Sequence, residues 1–180
     1  MQTTTKISIR ILSLILLLAL SACERKPDLA SLKQYQEHDI NFNYPGNWEI
    51  TEDGYNGSVH YLIITSTGDA VVMIHTFDTA VAPELKPFTE SLSTGISKEM
   101  PFGEMKTESM TFMKETGKAT WIKEKLSVTL LGQTLPHIRE YRKAENSKRT
   151  AFLTSQTTTE DQTTVKPGFE LIIQSFELEK

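Results

Sequence analysis

The chain has 180 residues, with 19 lysines and arginines against 23 aspartates and glutamates, a formal net charge of −4. That length holds one ordinary domain with a core of its own. A net acid whose densest basic stretch, Arg139 to Arg149, is broken by Glu140 and Glu145 is a poor partner for nucleic acid or an anionic surface, and a single cysteine, Cys23, excludes a disulfide within the chain.

The first 22 residues follow a three-part pattern. Met1 to Arg10 carries Lys6 and Arg10 and no acid, Ile11 to Leu20 is almost purely apolar, and Leu20-Ser21-Ala22 precedes Cys23. A positive stub, a short apolar run and small residues before a cut describe a secretory signal. A spanning helix needs about 20 apolar residues, so this run reads as a leader. Leu, two small residues and Cys resemble the bacterial lipobox. That resemblance implies cleavage before Cys23, acylation of its thiol and attachment to a membrane through the lipid. Two or more acyl chains anchor stably where one does not. The anchored product would keep 17 basic and 23 acidic residues, a net charge of −6. The expected location is the cell envelope, facing the periplasm. In enterobacterial lipoproteins Asp after the cysteine retains the protein in the inner membrane. Here that position is Glu24, which favours the outer membrane and leaves the inner one as the alternative.

Residues 23–38 are polar, contain Pro27 and read as a tether with room for one helical turn through Leu29 and Leu32; residues 39–180 read as a single domain. Ile40, Phe42 and Tyr44 alternate with polar residues, Pro45-Gly46 breaks the run, and Trp48 and Ile50 resume it, which predicts a small hairpin with aromatic inward residues. Val59–Thr65 and Ala70–Phe77 flank Thr67-Gly68 and predict a second hairpin. Both of its runs are apolar on both faces, so it should be central and covered twice. Leu85, Phe88, Leu92, Ile96 and Met100 form one helical stripe that Pro101 and Gly103 end. Strands return at Met110 to Met113, at Ala119–Leu131 and Thr134–Lys143 around Gly132-Gln133, and at Arg149–Thr154. Thr157 to Glu160 matches a capping box, and Phe169, Ile172, Ile173 and Phe176 carry the apolar face of a last helix.

Runs of strands with helices added indicate an α+β fold built on an antiparallel sheet. With "FNYPGNW" at 42–48, a buried hairpin, one mid-chain helix, an antiparallel meander and "IIQSFEL" at 172–178, residues Asp39 to Leu178 resemble the PsbP/Mog-type fold, including the DcrB-like bacterial lipoproteins. The resemblance implies a sheet flanked by helices on both faces. It implies little chemistry, because members include photosystem accessory subunits and a GTPase-binding protein.

Catalytic motifs are missing. There is no G-x-S-x-G, "HIREY" at His137 lacks the second His and the Glu of a zinc peptidase, Phe112 stands where a phosphate loop ending in Gly117-Lys118 needs Gly, and "EDGYNG" at 52–57 lacks the distal Glu of a calcium loop. A two-residue turn at Thr67-Gly68 would set His60 opposite His75, with Cβ atoms about 4.5–5.5 Å apart. Two ligands are not a site, no acid is assignable beside them, and a one-residue slip separates them, so no metal and no cofactor are assigned. Glu37, His38 and Asp39 read as a solvated cluster at the tether junction. Tyr44, Trp48 and Tyr55 can line a binding surface, or serve as core and edge cover. The expected function is a lipid-anchored, non-enzymatic accessory domain that binds another envelope protein. The alternative is a carrier of a small apolar ligand in a pocket between sheet and helix. A hydrolase with an unrecognised site ranks last.

Overall fold

The computed structural model describes residues 26–99, 103–114 and 120–179. The signal segment, Cys23, Met100, Pro101 and Ala119 lie outside the described residues. Two antiparallel sheets carry the fold. The smaller has the order β1-β2-β10, from β1 (Lys33–Glu37), β2 (Ile40–Tyr44) and β10 (Glu177–Leu178). The larger has the order β3-β4-β5-β9-β8-β7-β6, from β3 (Glu49–Asn56), β4 (Val59–Thr65), β5 (Val71–Asp78), β6 (Glu104–Lys114), β7 (Thr120–Leu130), β8 (Gln133–Glu145) and β9 (Arg149–Thr158). Two meanders, β3-β4-β5 and β6-β7-β8-β9, meet at the β5–β9 pair. The link from β5 to the far edge strand β6 is helix α1 (Leu85–Glu99); helix α2 (Gln162–Ser175) follows β9.

The alternation of β9 assigns one layer to each face. Ala151 and Leu153 point to a core shared with Leu62, Ile64, Val72 and Ile74 of the sheet, Ile40, Phe42 and Tyr44 of β2, and Val165, Phe169 and Ile172 of α2. Phe152 points the other way, to Leu85 and Phe88 of α1, Ile122 and Tyr141. Its ring stacks on Phe88 at 4.0 Å. The antiparallel α+β architecture with a helix on each face is therefore present, and β4 and β5 are interior strands as expected, but the double cover is partial: His60, Leu62, Ile64, Val72, Ile74 and Thr76 are buried on one face, whereas Tyr61, Ile63, Met73 and His75 on the other are only half-buried. No helix among the described residues is long and apolar enough to cross a membrane.

Four local expectations are corrected. The tether is shorter than residues 23–38, because Lys33–Glu37 pair along β2 from Lys33↔Tyr44 to Glu37↔Ile40 and bury Tyr35. The first hairpin does not form. At Pro45-Gly46 the chain leaves the small sheet, and β3 joins the large one beside β4. Thr157 and Thr158 end β9, paired with Ile138 and His137, and Asp161 precedes α2 without a side-chain cap bond, so strand pairing overrides the capping box. The β7–β8 turn is Leu131-Gly132, both at positive φ (50° and 79°), one residue earlier than expected. Two-residue turns of this hand match the twist of the strands they join.

Candidate functional site

Two of the three aromatics chosen for a binding surface are core. Trp48 is 0 % exposed and Tyr44 9 %. Trp48 lies edge-on to Phe169 at 5.6 Å, against Gly168, where a Cβ would fall 2.6 Å from its ring. Tyr55 alone is exposed.

His60 and His75 do not face each other. Ser66 closes a longer loop: its amide bonds the Ala70 carbonyl, and its hydroxyl accepts from the Gly68 and Ala70 amides. The register slips by one residue, so His60 faces Thr76 and Tyr61 faces His75. Adjacent residues of a strand point to opposite faces, which puts His60 on the α2 face of the sheet and His75 against Phe88 of α1, 5.5 Å between ring centroids. Burial, with a smaller contribution from His60, pushes the His75 imidazole down to about 4. A folded value below the unfolded one stabilises the fold above the ordinary histidine value near 6.5, and that stability is lost as pH falls toward about 4. Urea midpoints measured from pH 7 to pH 4.5 should therefore fall, and a His75→Leu variant should flatten that fall. An unchanged slope would show that His75 takes up its proton without resistance.

His60 has other neighbours. Its Nε2 lies 2.8 Å from Asp53 Oδ1, and its ring is 4.5 Å from that of His38. His38 and Asp39 form the two-residue β1–β2 turn, both at positive φ (55° and 64°). Arg149 holds that turn by donating to Asp39 Oδ2 from Nε and Nη2 at 3.0 and 2.9 Å. Asp53 lies on β3 just past a bulge between Ile50 and Glu52. Its second oxygen, Oδ2, accepts from the Tyr35 hydroxyl at 2.8 Å, and Tyr55 hydroxyl meets His38 Nδ1 at 3.0 Å. Burial works to raise the Asp53 carboxyl, but the bonds from His60 and Tyr35 outweigh it and hold the group below its ordinary value. Burial and the bond to Asp53 raise the Tyr35 phenol. The expected partner of His60, His75, is thus replaced by Asp53 and His38, and His38 belongs to the β1–β2 turn rather than to the tether.

A second polar cluster lies under α1. Glu124 and Arg139 are both 0 % exposed and meet at 3.2 Å. Ser93 of α1 and Thr107 of β6 donate to Glu124 Oε1, Tyr141 donates to Oε2, and Arg139 donates to Gln156 Oε1 from Nε at 2.8 Å. Each charge in this network is paired and hydrogen-bonded, as buried charges must be to be tolerated. It fixes α1 to the sheet.

On the α2 face, a hollow of about 370 Å³ lies between β7, β8 and α2. It meets the ~300 Å³ expected of a ligand pocket, but its wall holds the Lys123–Glu140 and Arg142–Glu140 pairs, each at 3.8 Å, and Arg142 over the Trp121 ring at 4.8 Å. A charged wall does not suit an apolar guest.

The overall architecture matches that of a solved structure. Cyanobacterial PsbP (CyanoP) from Synechocystis sp. PCC 6803 superposes with a TM-score of 0.54 at 14 % identity, over 89 % of this chain and 99 % of that one. The fold is PsbP-like. LpqN of Mycobacterium tuberculosis, described as involved in cell envelope biogenesis, aligns more loosely, with a TM-score of 0.44 at 12 % identity over 83 % of this chain and 91 % of that one. No protein-family model matches the chain. No curated protein matches it in sequence. At these identities the likeness describes the PsbP-like fold alone.

Proposed function

We propose that this chain is a lipid-anchored, non-enzymatic domain of the bacterial envelope that faces the periplasm, on the outer membrane, and serves as an accessory protein by binding another envelope protein. The observation that carries the reading is Cys23, the one cysteine, placed directly after a charged stub, an apolar run and Leu20-Ser21-Ala22. The PsbP-like fold supports it, since the family resemblance implies accessory roles rather than catalysis.

The surface offered to the partner is the β7–β8 tip, where Leu131 is 100 % exposed and Leu130 and Leu135 are about half exposed. Leu131 adds nothing to the core, and its φ of 50° is a conformation that Asn or Gly adopts at less cost. Neither folding nor solubility explains a leucine there, whereas a protein contact does. Intact-mass analysis of the membrane fraction should show an acylated chain that begins at Cys23, and the Cys23→Ala variant should lack the lipid mass. An unmodified wild-type chain in the soluble fraction would overturn the anchor. In-cell crosslinking should capture one defined envelope protein with wild type. The Leu131→Asn variant should lose that capture at unchanged or higher melting temperature. Equal capture by both would remove the tip from the interface.

A further inference from the structure

We propose that His38, Asp53 and His60 form a binding site for a divalent cation of the zinc class, one that clasps the small sheet to the edge of the large one. Their donor atoms lie within 4.8 Å of one another. Tetrahedral zinc holds imidazole nitrogen and carboxylate oxygen at about 2.0–2.2 Å, which sets neighbouring ligand atoms about 3.3 Å apart. The observed separations bracket that value: 2.8 Å from His60 Nε2 to Asp53 Oδ1, and 3.9 Å from His38 Nε2 to the same oxygen. An ion pair between His60 and Asp53 accounts for the first distance. The second, between His38 Nε2 and the same oxygen, is too long for a hydrogen bond and is an ion pair only if His38 is protonated. A shared cation accounts for both.

The surroundings fit a ligand set. Tyr55 engages His38 at Nδ1, which fixes the ring and leaves Nε2 for the metal, and Tyr35 engages Asp53 at Oδ2, which leaves Oδ1. Partners of this kind hold ligands in orientation. The Glu37 carboxylate, 3.8 Å from His38 Nε2 and mostly exposed, can supply a fourth ligand, or water can. Two imidazoles with one carboxylate suit zinc and its borderline neighbours, whereas calcium and magnesium take oxygen. The three ligands are divided between the β1–β2 turn of one sheet and β3 and β4 of the other, so the cation would bridge the two sheets.

The test is calorimetric titration of ZnCl₂ into the full-length chain in detergent, carrying Cys23→Ala so that no thiol competes. The expected result is one saturable site, a higher melting temperature with Zn²⁺, and no comparable response to Mg²⁺. His60 is buried, and its variants can fail to fold. The test therefore rests on His38→Ala, at a half-exposed turn position, and Tyr55→Phe. Both should weaken Zn²⁺ binding at least ~10-fold, while His137→Ala, at an isolated histidine on β8, leaves it unchanged. Titration of Co²⁺ should give a ligand-field spectrum that His38→Ala abolishes. The proposal is overturned if wild type takes up no Zn²⁺, or if His38→Ala binds it as tightly as wild type does.

Discussion

Replacing Glu124 with alanine is expected to destabilise the fold by about 3–5 kcal/mol, the cost of leaving a buried charge without its partner. Arg139 is wholly inaccessible, and among the described residues Glu124 is the only carboxylate paired with its guanidinium. The loss also removes the acceptor of three hydroxyls, of Ser93, Thr107 and Tyr141, and leaves Ser93 and Thr107 with each other at 3.3 Å and Tyr141 with Arg139 at 3.1 Å. A domain of this size is stable by only about 5–15 kcal/mol, so the urea midpoint should fall by a large fraction. The double variant Glu124→Met, Arg139→Met should recover much of the loss, since apolar residues of similar volume often replace a buried pair at little cost. The Tyr141 hydroxyl, which loses both Glu124 and Arg139, keeps the recovery incomplete. A Glu124→Ala loss under about 1 kcal/mol would mean that water reaches Arg139 and that the network does not hold α1 down.

Periodicity made most of the large sheet legible. The doubly apolar runs of β4 and β5 announced interior strands, and the stripe Leu85, Phe88, Leu92, Ile96 announced the helix that covers one face. What stayed hidden was decided at long range. In β1, Lys33–Glu37, only Tyr35 is buried among polar residues, so a strand of five residues carries one apolar signal. Pro45-Gly46 marks a turn in any arrangement, but whether the chain folds back or crosses to another sheet depends on β10, more than 130 residues away. Register turned on one hydroxyl, that of Ser66, and a single-residue slip moved His75 to the opposite face from His60. The site was missed for the same reason. His38 and Asp39 precede the alternating run Ile40, Phe42 and Tyr44, and residues tolerant of positive φ there signal a tight turn. Read as a turn, they bring His38 back over the sheet toward Asp53.

Trp48→Ala is expected to cost about 3–5 kcal/mol, as large-to-small changes of buried aromatics do. The indole fills the corner where the chain passes from the small sheet to the large one. It lies against Phe169 and so close to Gly168 that no other residue fits that position of α2 without displacement. Lys33 Nζ donates to the Trp48 carbonyl at 2.9 Å, which ties β1 to the same corner. Deleting the ring keeps that backbone bond but empties the space between the corner and α2. The Nε1 atom is buried without a partner, so Trp48→Phe removes an unsatisfied donor together with some volume and should cost clearly less than alanine. The decisive measurement sets urea midpoints beside crosslinking yield. A residue that forms a binding surface loses its partner at unchanged stability, whereas a core residue loses stability first and its partner only as the fold fails. Trp48→Ala should follow the second course and Leu131→Asn the first. A stable Trp48→Ala chain would mean that β2 and α2 pack without the indole between them, and the corner would then have to be held by Phe42, Tyr44 and Phe169.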